Sequence, residues 1–125
     1  MESEQNGKRI QERRKFPRLN ATVDIECSVI DKQFSPENKK KIKNISAAGI
    51  CLIVYERVGV DDFLSLAIKL PESKDPLQVK GRVVWTEEFV VAGDIRNRWD
   101  AGIEFIGMSE EDRQKIAEYV FAIQR

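Results

Sequence analysis

Asn44-Ile45-Ser46-Ala47-Ala48-Gly49 follows a basic segment and continues directly into the apolar run Ile50-Cys51-Leu52-Ile53-Val54. Side chains alternate between the two sides of an extended chain, so Asn44 and Ser46 face the same side. Gly49 permits a tight turn or the close approach of a ligand to the backbone. The unbroken apolar run is typical of a central strand. The stretch therefore predicts two neighbouring strands joined at a small polar site, or alternatively an ordinary turn built from the same residue types.

Apolar residues recur at every second position on both sides of this stretch, which is typical of half-buried strands. The pattern predicts strands within residues 21–29, 40–45, 49–54, 64–70, 77–85 and 99–105, with a weaker apolar piece at 89–91. Gly81, inside a long strand, is predicted to mark a bend or a bulge. Trp85 and Trp99 lie on alternating apolar faces, so both are predicted to be core residues rather than ligand platforms.

The periodicity changes near the C-terminus, where a helix is predicted over residues 109–124. Ser109 is a suitable N-cap, and the three acidic residues that follow it favour the first turn of a helix. Apolar side chains then recur at intervals of three and four, at Ile116, Tyr119, Val120 and Ile123. No alternation of strands and helices is visible. The sequence therefore predicts an all-β fold, a small antiparallel barrel of six to seven strands with a C-terminal helix.

Length and composition indicate a single domain that is not an enzyme. The chain has 125 residues, enough for one core, and residues 13–125 are predicted to form it, preceded by a flexible polar arm at residues 1–12. There is no histidine, no glycine-rich phosphate loop and no evident nucleophile–base pair. A Cys/His zinc site is excluded, and neither a metal nor a cofactor is expected. Cys27 and Cys51 are predicted to be buried and unpaired.

Charge and hydropathy bear on location and partners. Twenty-one basic residues balance 21 acidic ones, and this neutrality argues against a general nucleic-acid binder. No apolar run is long enough to cross a membrane, so a soluble, cytoplasmic protein without membrane insertion is expected. Positive charge is concentrated before the first strand, where Arg14-Lys15-Phe16-Pro17-Arg18 carries two guanidinium groups. Their planar donor forks suit phosphate oxygens and the O6/N7 edge of guanine.

The two motifs together resemble the PilZ domain family. The resemblance extends from about residue 12 to residue 124 and rests on the Arg14/Arg18 pair, the hexamer 44–49, Gly81-Arg82-Val83-Val84-Trp85, and Gly102-Ile103-Glu104-Phe105 before the helix. Members of this family are six- or seven-stranded barrels that bind the bacterial second messenger cyclic di-GMP. The resemblance therefore implies the same fold that the periodicity predicts.

The resemblance also implies roles for individual residues. Arg14 and Arg18 would contact phosphate and guanine, while Asn44 and Ser46 would bond the other side of a guanine and Gly49 would shape the turn. Arg13 directly precedes the first motif arginine, which in this family accompanies binding of two intercalated ligand molecules. The chain departs from the common pattern in two places: Asn44 replaces an aspartate, and Ala48 replaces a glycine, which would matter if that residue needed positive φ.

The expected function is that of a cyclic di-GMP receptor. Binding would order the basic arm and alter the contact with an unidentified downstream protein. Two alternatives remain open: a PilZ-like adaptor that binds protein but no ligand, and a barrel that binds single-stranded nucleic acid through the arm and aromatic side chains. The neutral total charge weighs against the nucleic-acid alternative.

Overall fold

Seven strands form one antiparallel sheet in the computed structural model, which describes residues 19–20, 25–31, 39–71, 73–90, 93 and 97–124. The predicted arm at residues 1–12 lies outside these residues, and so does its basic continuation with Arg13, Arg14 and Arg18. The strands are β1 (Leu19–Asn20), β2 (Glu26–Val29), β3 (Lys41–Ile45), β4 (Gly49–Val54), β5 (Phe63–Lys69), β6 (Leu77–Val90) and β7 (Asn97–Ile106), and they are followed by the helix α1 (Glu110–Gln124).

The sheet curls into a barrel. Its strand order is β1-β3-β4-β7-β6-β5-β2, so β1 and β2 are the two ends. Among the described residues, one isolated bridge joins β2 to the chain just before β3, where the Lys40 N–H donates to the Cys27 carbonyl at 2.8 Å. The predicted all-β barrel of six to seven strands with a C-terminal helix is confirmed.

Alternating side chains from the strands fill the interior, and the helix covers it. Cys27, Leu52, Leu66 and Val83 are among the fully buried strand residues. Ser109 caps the helix, because its Oγ accepts the Asp112 N–H at 3.1 Å. Of the predicted apolar face, Ile116 and Val120 are buried, whereas Ile123 is 50% exposed and does not cover the barrel.

Two bulges shape the outer face of the sheet. In β3 the register shifts between Ile42 and Asn44, and in β6 it shifts between Val83 and Trp85. The predicted irregularity at Gly81 therefore occurs three residues later. Gly81 itself makes room for Ile103, since a Cβ at this position would lie 2.3 Å from the Ile103 Cγ2.

The bulge in β6 reverses the face on which Trp85 lies. Val83 is fully buried, but the extra residue Val84 turns Trp85 outward, where it is 43% exposed. The prediction that Trp85 belongs to the core is wrong, because strict alternation does not hold across a bulge. Trp99 is partly buried and packs against the core, as predicted.

Candidate functional site

A row of four residues crosses the outer face of the sheet. Asn44 on β3 pairs with Cys51 on β4, Cys51 with Gly102 on β7, and Gly102 with Trp85 on β6. Paired residues on adjacent strands present their side chains on the same face. The row therefore places an amide, a thiol, a glycine and an indole side by side.

A cleft of about 170 Å³ lies against this row. Asn44, Ser46 and Gly49, three of the residues predicted for the site, line it together with Trp85 and Glu104. The sequence predicted that the first three converge, and the structure brings them to one place. Trp85 and Glu104 were not predicted as site residues.

Trp85 lies directly on Gly102. A Cβ on Gly102 would be 2.1 Å from the indole Nε1 and 2.4 Å from Cε2, so only glycine leaves room for the ring. The indole lines the cleft and is half-exposed, so it stays accessible to a ligand. The sequence signal that could have revealed this contact is Gly102 itself, since a glycine inside a strand often marks the close approach of another group.

The turn before β4 is held by its own polar groups. The Ser46 N–H donates to the Gly49 carbonyl at 2.9 Å, and the Ser46 Oγ accepts the Ala48 N–H at 3.1 Å. A Cβ at Gly49 would lie 2.3 Å from the Ile103 carbonyl oxygen, so close contact with β7 requires glycine here. Among the non-glycine residues described, positive φ occurs at Asp61 alone, so Ala48 fits this turn without backbone strain.

A buried carboxylate holds two cations next to the cleft. Asp100 is fully buried, and its side chain contacts the Lys43 Nζ at 2.7 Å and the Arg98 guanidinium at 3.1 Å. Burial acts to raise the pKa of Asp100, but the hydrogen bonds from Lys43 and Arg98 outweigh it and lower that pKa below its usual value. The bulge in β3 turns Lys43, like the adjacent Asn44, outward. The arrangement adds positive charge near Asn44.

A second ion-pair network lies at the other border of the cleft. Arg82 on β6 contacts Glu104 on β7 through its Nη2, at 3.1 Å from the Oε2, and Asp61 through its Nη1, at 2.7 Å from the Oδ1. Hydrogen bonds to Asp61 and Glu104 raise the pKa of Arg82, which stays charged. The Glu104 carboxylate is therefore fixed at the edge of the site.

Strand β1 brings the start of the described chain to the site. Leu19 pairs with Ile45 and Asn20 pairs with Asn44. Arg18 is bonded to Leu19, but it lies outside the described residues together with Arg13 and Arg14. Their part in the site remains a prediction.

The described residues offer neither a metal site nor a membrane-spanning helix. No group of three or more Cys, Asp or Glu side chains among the described residues is arranged to hold a metal ion. The described helix is neither long nor apolar enough to cross a membrane.

Solved structures with the same fold are similar to this chain at low sequence identity. The K. pneumonia MrkH–c-di-GMP complex has a TM-score of 0.69 and 18% identity, covering 90% of this chain and 52% of MrkH. The Bacillus subtilis inhibitor of motility, MotI/DgrA, has a TM-score of 0.61 and 23% identity, covering 90% and 51%. The c-di-GMP-bound PilZ domain of YcgR from Escherichia coli has a TM-score of 0.64 and 13% identity, covering 90% and 92%.

These alignments show the fold, and the chain spans about half the length of MrkH and MotI. No curated protein sequence matches the chain. A family model does match: the PilZ domain model covers residues 12–122, nearly the whole chain. The chain therefore belongs to the PilZ domain family.

Proposed function

We propose that this chain is a receptor for cyclic di-GMP and binds it in the cleft beside Asn44 and Ser46. The observation that carries the proposal is the convergence of Asn44, Ser46, Gly49 and Trp85 on one cleft next to β1. Membership of the PilZ family supports it, as do the MrkH and YcgR structures with c-di-GMP. Our proposed binding residues are Arg13, Arg14, Arg18, Asn44, Ser46 and Gly49, to which the geometry adds Trp85.

The cleft residues have the chemistry that a guanine requires. Asn44 offers one carbonyl acceptor and one amide donor, and the Ser46 hydroxyl can still donate its proton while accepting the Ala48 N–H. The exposed indole of Trp85 provides a surface for stacking a base. Together these groups suit the edge and the face of one guanine.

The arm would supply the positive charge for the two phosphates. Arg14 and Arg18 precede β1, and Arg18 is one residue from Leu19, the partner of Ile45 on the strand that carries Asn44. Consecutive Cα atoms are about 3.8 Å apart, so we expect the Arg18 backbone to lie near this strand. Arg13 favours two intercalated ligand molecules in this site.

The output would be a change in the arm. Strand β1 contacts both β3, which carries Asn44, and the C-terminal helix α1. Ordering of the arm across the ligand would alter the surface near this helix and so alter contact with a downstream protein. The name of MotI, an inhibitor of motility, is consistent with output through a partner.

Titration calorimetry with cyclic di-GMP tests the binding and its stoichiometry. Arg14→Ala should weaken binding by about tenfold or more, because one charge-assisted hydrogen bond is lost. Arg9→Ala is the matched control, since it removes the same charge from the arm outside the motif and should leave the affinity within about twofold. Absence of binding by the wild type, or equal loss in both variants, would overturn the proposal.

Two further measurements separate the alternatives. A single-stranded oligonucleotide that displaces cyclic di-GMP with comparable affinity would favour a nucleic-acid-binding barrel instead. The amide line widths of residues 1–18 test the proposed output, since they should change when the ligand saturates the protein. Unchanged line widths would leave the receptor role intact and refute ordering of the arm.

A further inference from the structure

Glu104 places a carboxylate at the border of a cleft that is proposed to bind a ligand with two phosphates. Its side chain is half-exposed and lines the cleft. A negative charge there repels phosphate, so its presence weakens binding unless it accepts a hydrogen bond from the ligand. The donor-rich part of cyclic di-GMP is the guanine base, whose N1–H and 2-amino group lie on one edge.

The carboxylate is held in place by neighbouring residues. Arg82 donates its Nε–H to the Glu104 Oε2 at 3.2 Å, and its Nη1 contacts the Asp61 Oδ1 at 2.7 Å. Asp61 adopts the left-handed conformation, with φ of 76°, and its N–H donates to the Val83 carbonyl at 2.7 Å. Aspartate is one of the few residues that take this conformation readily. Glu104 is thus oriented before any ligand arrives. Because Asp61 and Glu104 share the single guanidinium of Arg82, the three groups together keep a net negative charge.

The two oxygens of Glu104 differ in their contacts with the described residues. Both Arg82 contacts go to Oε2, and no donor among the described residues bonds Oε1. An ionised carboxylate accepts on both oxygens. Guanine offers this carboxylate two donors, N1–H and the 2-amino group, whereas the ring nitrogen N1 of adenine is an acceptor.

The spacing along β7 suits a base stacked on Trp85. Gly102, beneath the indole, and Glu104 are two residues apart on the same face, which corresponds to about 7 Å along a strand. Half the width of a purine followed by one hydrogen bond of about 3 Å spans a similar length. A base stacked over Gly102 can therefore direct its edge toward Glu104.

We propose that Glu104 is a specificity-determining residue that recognises the N1–H and 2-amino edge of guanine, with Arg82 and Asp61 as its positioning residues. This inference rests on the proposed binding of cyclic di-GMP. It explains why a carboxylate borders a site for an anionic ligand. It also assigns a role to the ion-pair network, which the arginine and hexamer motifs leave unexplained.

A comparison of cyclic di-GMP with cyclic di-IMP, which lacks only the 2-amino groups, tests the inference by titration calorimetry on the full chain. The wild type should bind cyclic di-GMP about tenfold or more tightly than cyclic di-IMP, the effect of one hydrogen bond to a charged group. Glu104→Ala should bind the two ligands within about twofold of each other. The ratio of the two dissociation constants, cyclic di-IMP over cyclic di-GMP, measures the preference for the 2-amino group. Glu104→Gln, which keeps one acceptor, should give a ratio between those of the wild type and Glu104→Ala.

Glu87→Ala is the matched control, because it removes an exposed glutamate from β6 outside the cleft and should keep the wild-type ratio. Arg82→Ala should lower the ratio without abolishing binding, since it releases Glu104 from its fixed position. If Glu104→Ala and Glu104→Gln keep the wild-type ratio, the inference is wrong although the receptor role stands. If the wild type binds neither dinucleotide, the proposed function itself fails.

Discussion

Replacing Gly102 with alanine should weaken cyclic di-GMP binding without altering Asn44, Ser46 or any of the three arginines of the proposed site. The new Cβ would lie 2.1 Å from the Trp85 Nε1, and the ring must move until this distance reaches the 3.4 Å of an ordinary contact. Because Trp85 is 43% exposed, the indole can swing toward solvent. Such a movement removes the surface on which a base would stack.

The expected loss follows from the stacking energy of one base. Base–aromatic stacking contributes about 1–3 kcal/mol, so the dissociation constant should rise by roughly five- to hundredfold. Trp85→Ala should give a loss of the same size. The double variant Gly102→Ala/Trp85→Ala should be no weaker than Trp85→Ala alone, because the glycine acts only through the ring.

Titration calorimetry measures the affinities, and urea denaturation checks that the variant folds. The free energy of unfolding of Gly102→Ala should stay within about 1 kcal/mol of the wild type, since the displaced ring is already half-exposed. Gly59→Ala is the control glycine, because a Cβ there meets its nearest neighbour, the Asp62 Oδ2, at 3.8 Å. Wild-type affinity in Gly102→Ala together with a large loss in Trp85→Ala would refute the proposed role of Gly102.

Three other predictions concern the residues around the cleft. Asp100→Asn removes a buried carboxylate that two cations contact, so the free energy of unfolding at pH 7 should fall by about 1–3 kcal/mol. Because folding lowers the pKa of Asp100, this stabilisation is complete above the unfolded pKa of about 3.9 and is lost as the pH falls through the lower folded pKa. The free energies of unfolding of the wild type and Asp100→Asn, measured by urea titration, should therefore become equal at low pH. A difference that stays the same at every pH would contradict the assignment. Gly49→Ala should lower the free energy of unfolding by about 1–3 kcal/mol and weaken binding, since the new Cβ meets the backbone oxygen of Ile103. An unchanged midpoint of urea denaturation would contradict this prediction and show that β4 and β7 can separate at this point. Iodoacetamide should modify Cys51, which lines the cleft, faster than Cys27, because burial raises the pKa of Cys27 to about 12. Cyclic di-GMP should slow the reaction at Cys51. Equal rates of modification at the two cysteines, measured by peptide mass spectrometry, would contradict this order.

Local patterns in the sequence predicted most of the secondary structure. The unbroken apolar run at residues 50–54 corresponds to β4 at Gly49–Val54, and the predicted helix corresponds to α1 after its Ser109 cap. Strand β6 is longer than predicted, because it continues through the bulge and includes most of the apolar piece at 89–91. The short strand β1 was not predicted, since two residues carry no periodic signal.

The candidate site was predicted in part. Asn44, Ser46 and Gly49 are close in sequence, so the polar site at the turn could be inferred before the structure was known, and all three line the cleft. Trp85 and Glu104 join them from distant strands. Strict alternation assigned Trp85 to the core, and only the bulge at Val84 shows that its ring faces outward.

Six strands, the terminal helix and the polar turn can be predicted from the amino-acid sequence, because each depends on neighbouring residues and their periodicity. Which side chains share the outer face depends on the three-dimensional fold. Cross-strand register pairs Gly102 with Trp85 and Gly49 with Glu104, and one extra residue in a strand moves every later side chain to the opposite face. That register depends on contacts between strands that are far apart in sequence, so no local pattern contains it.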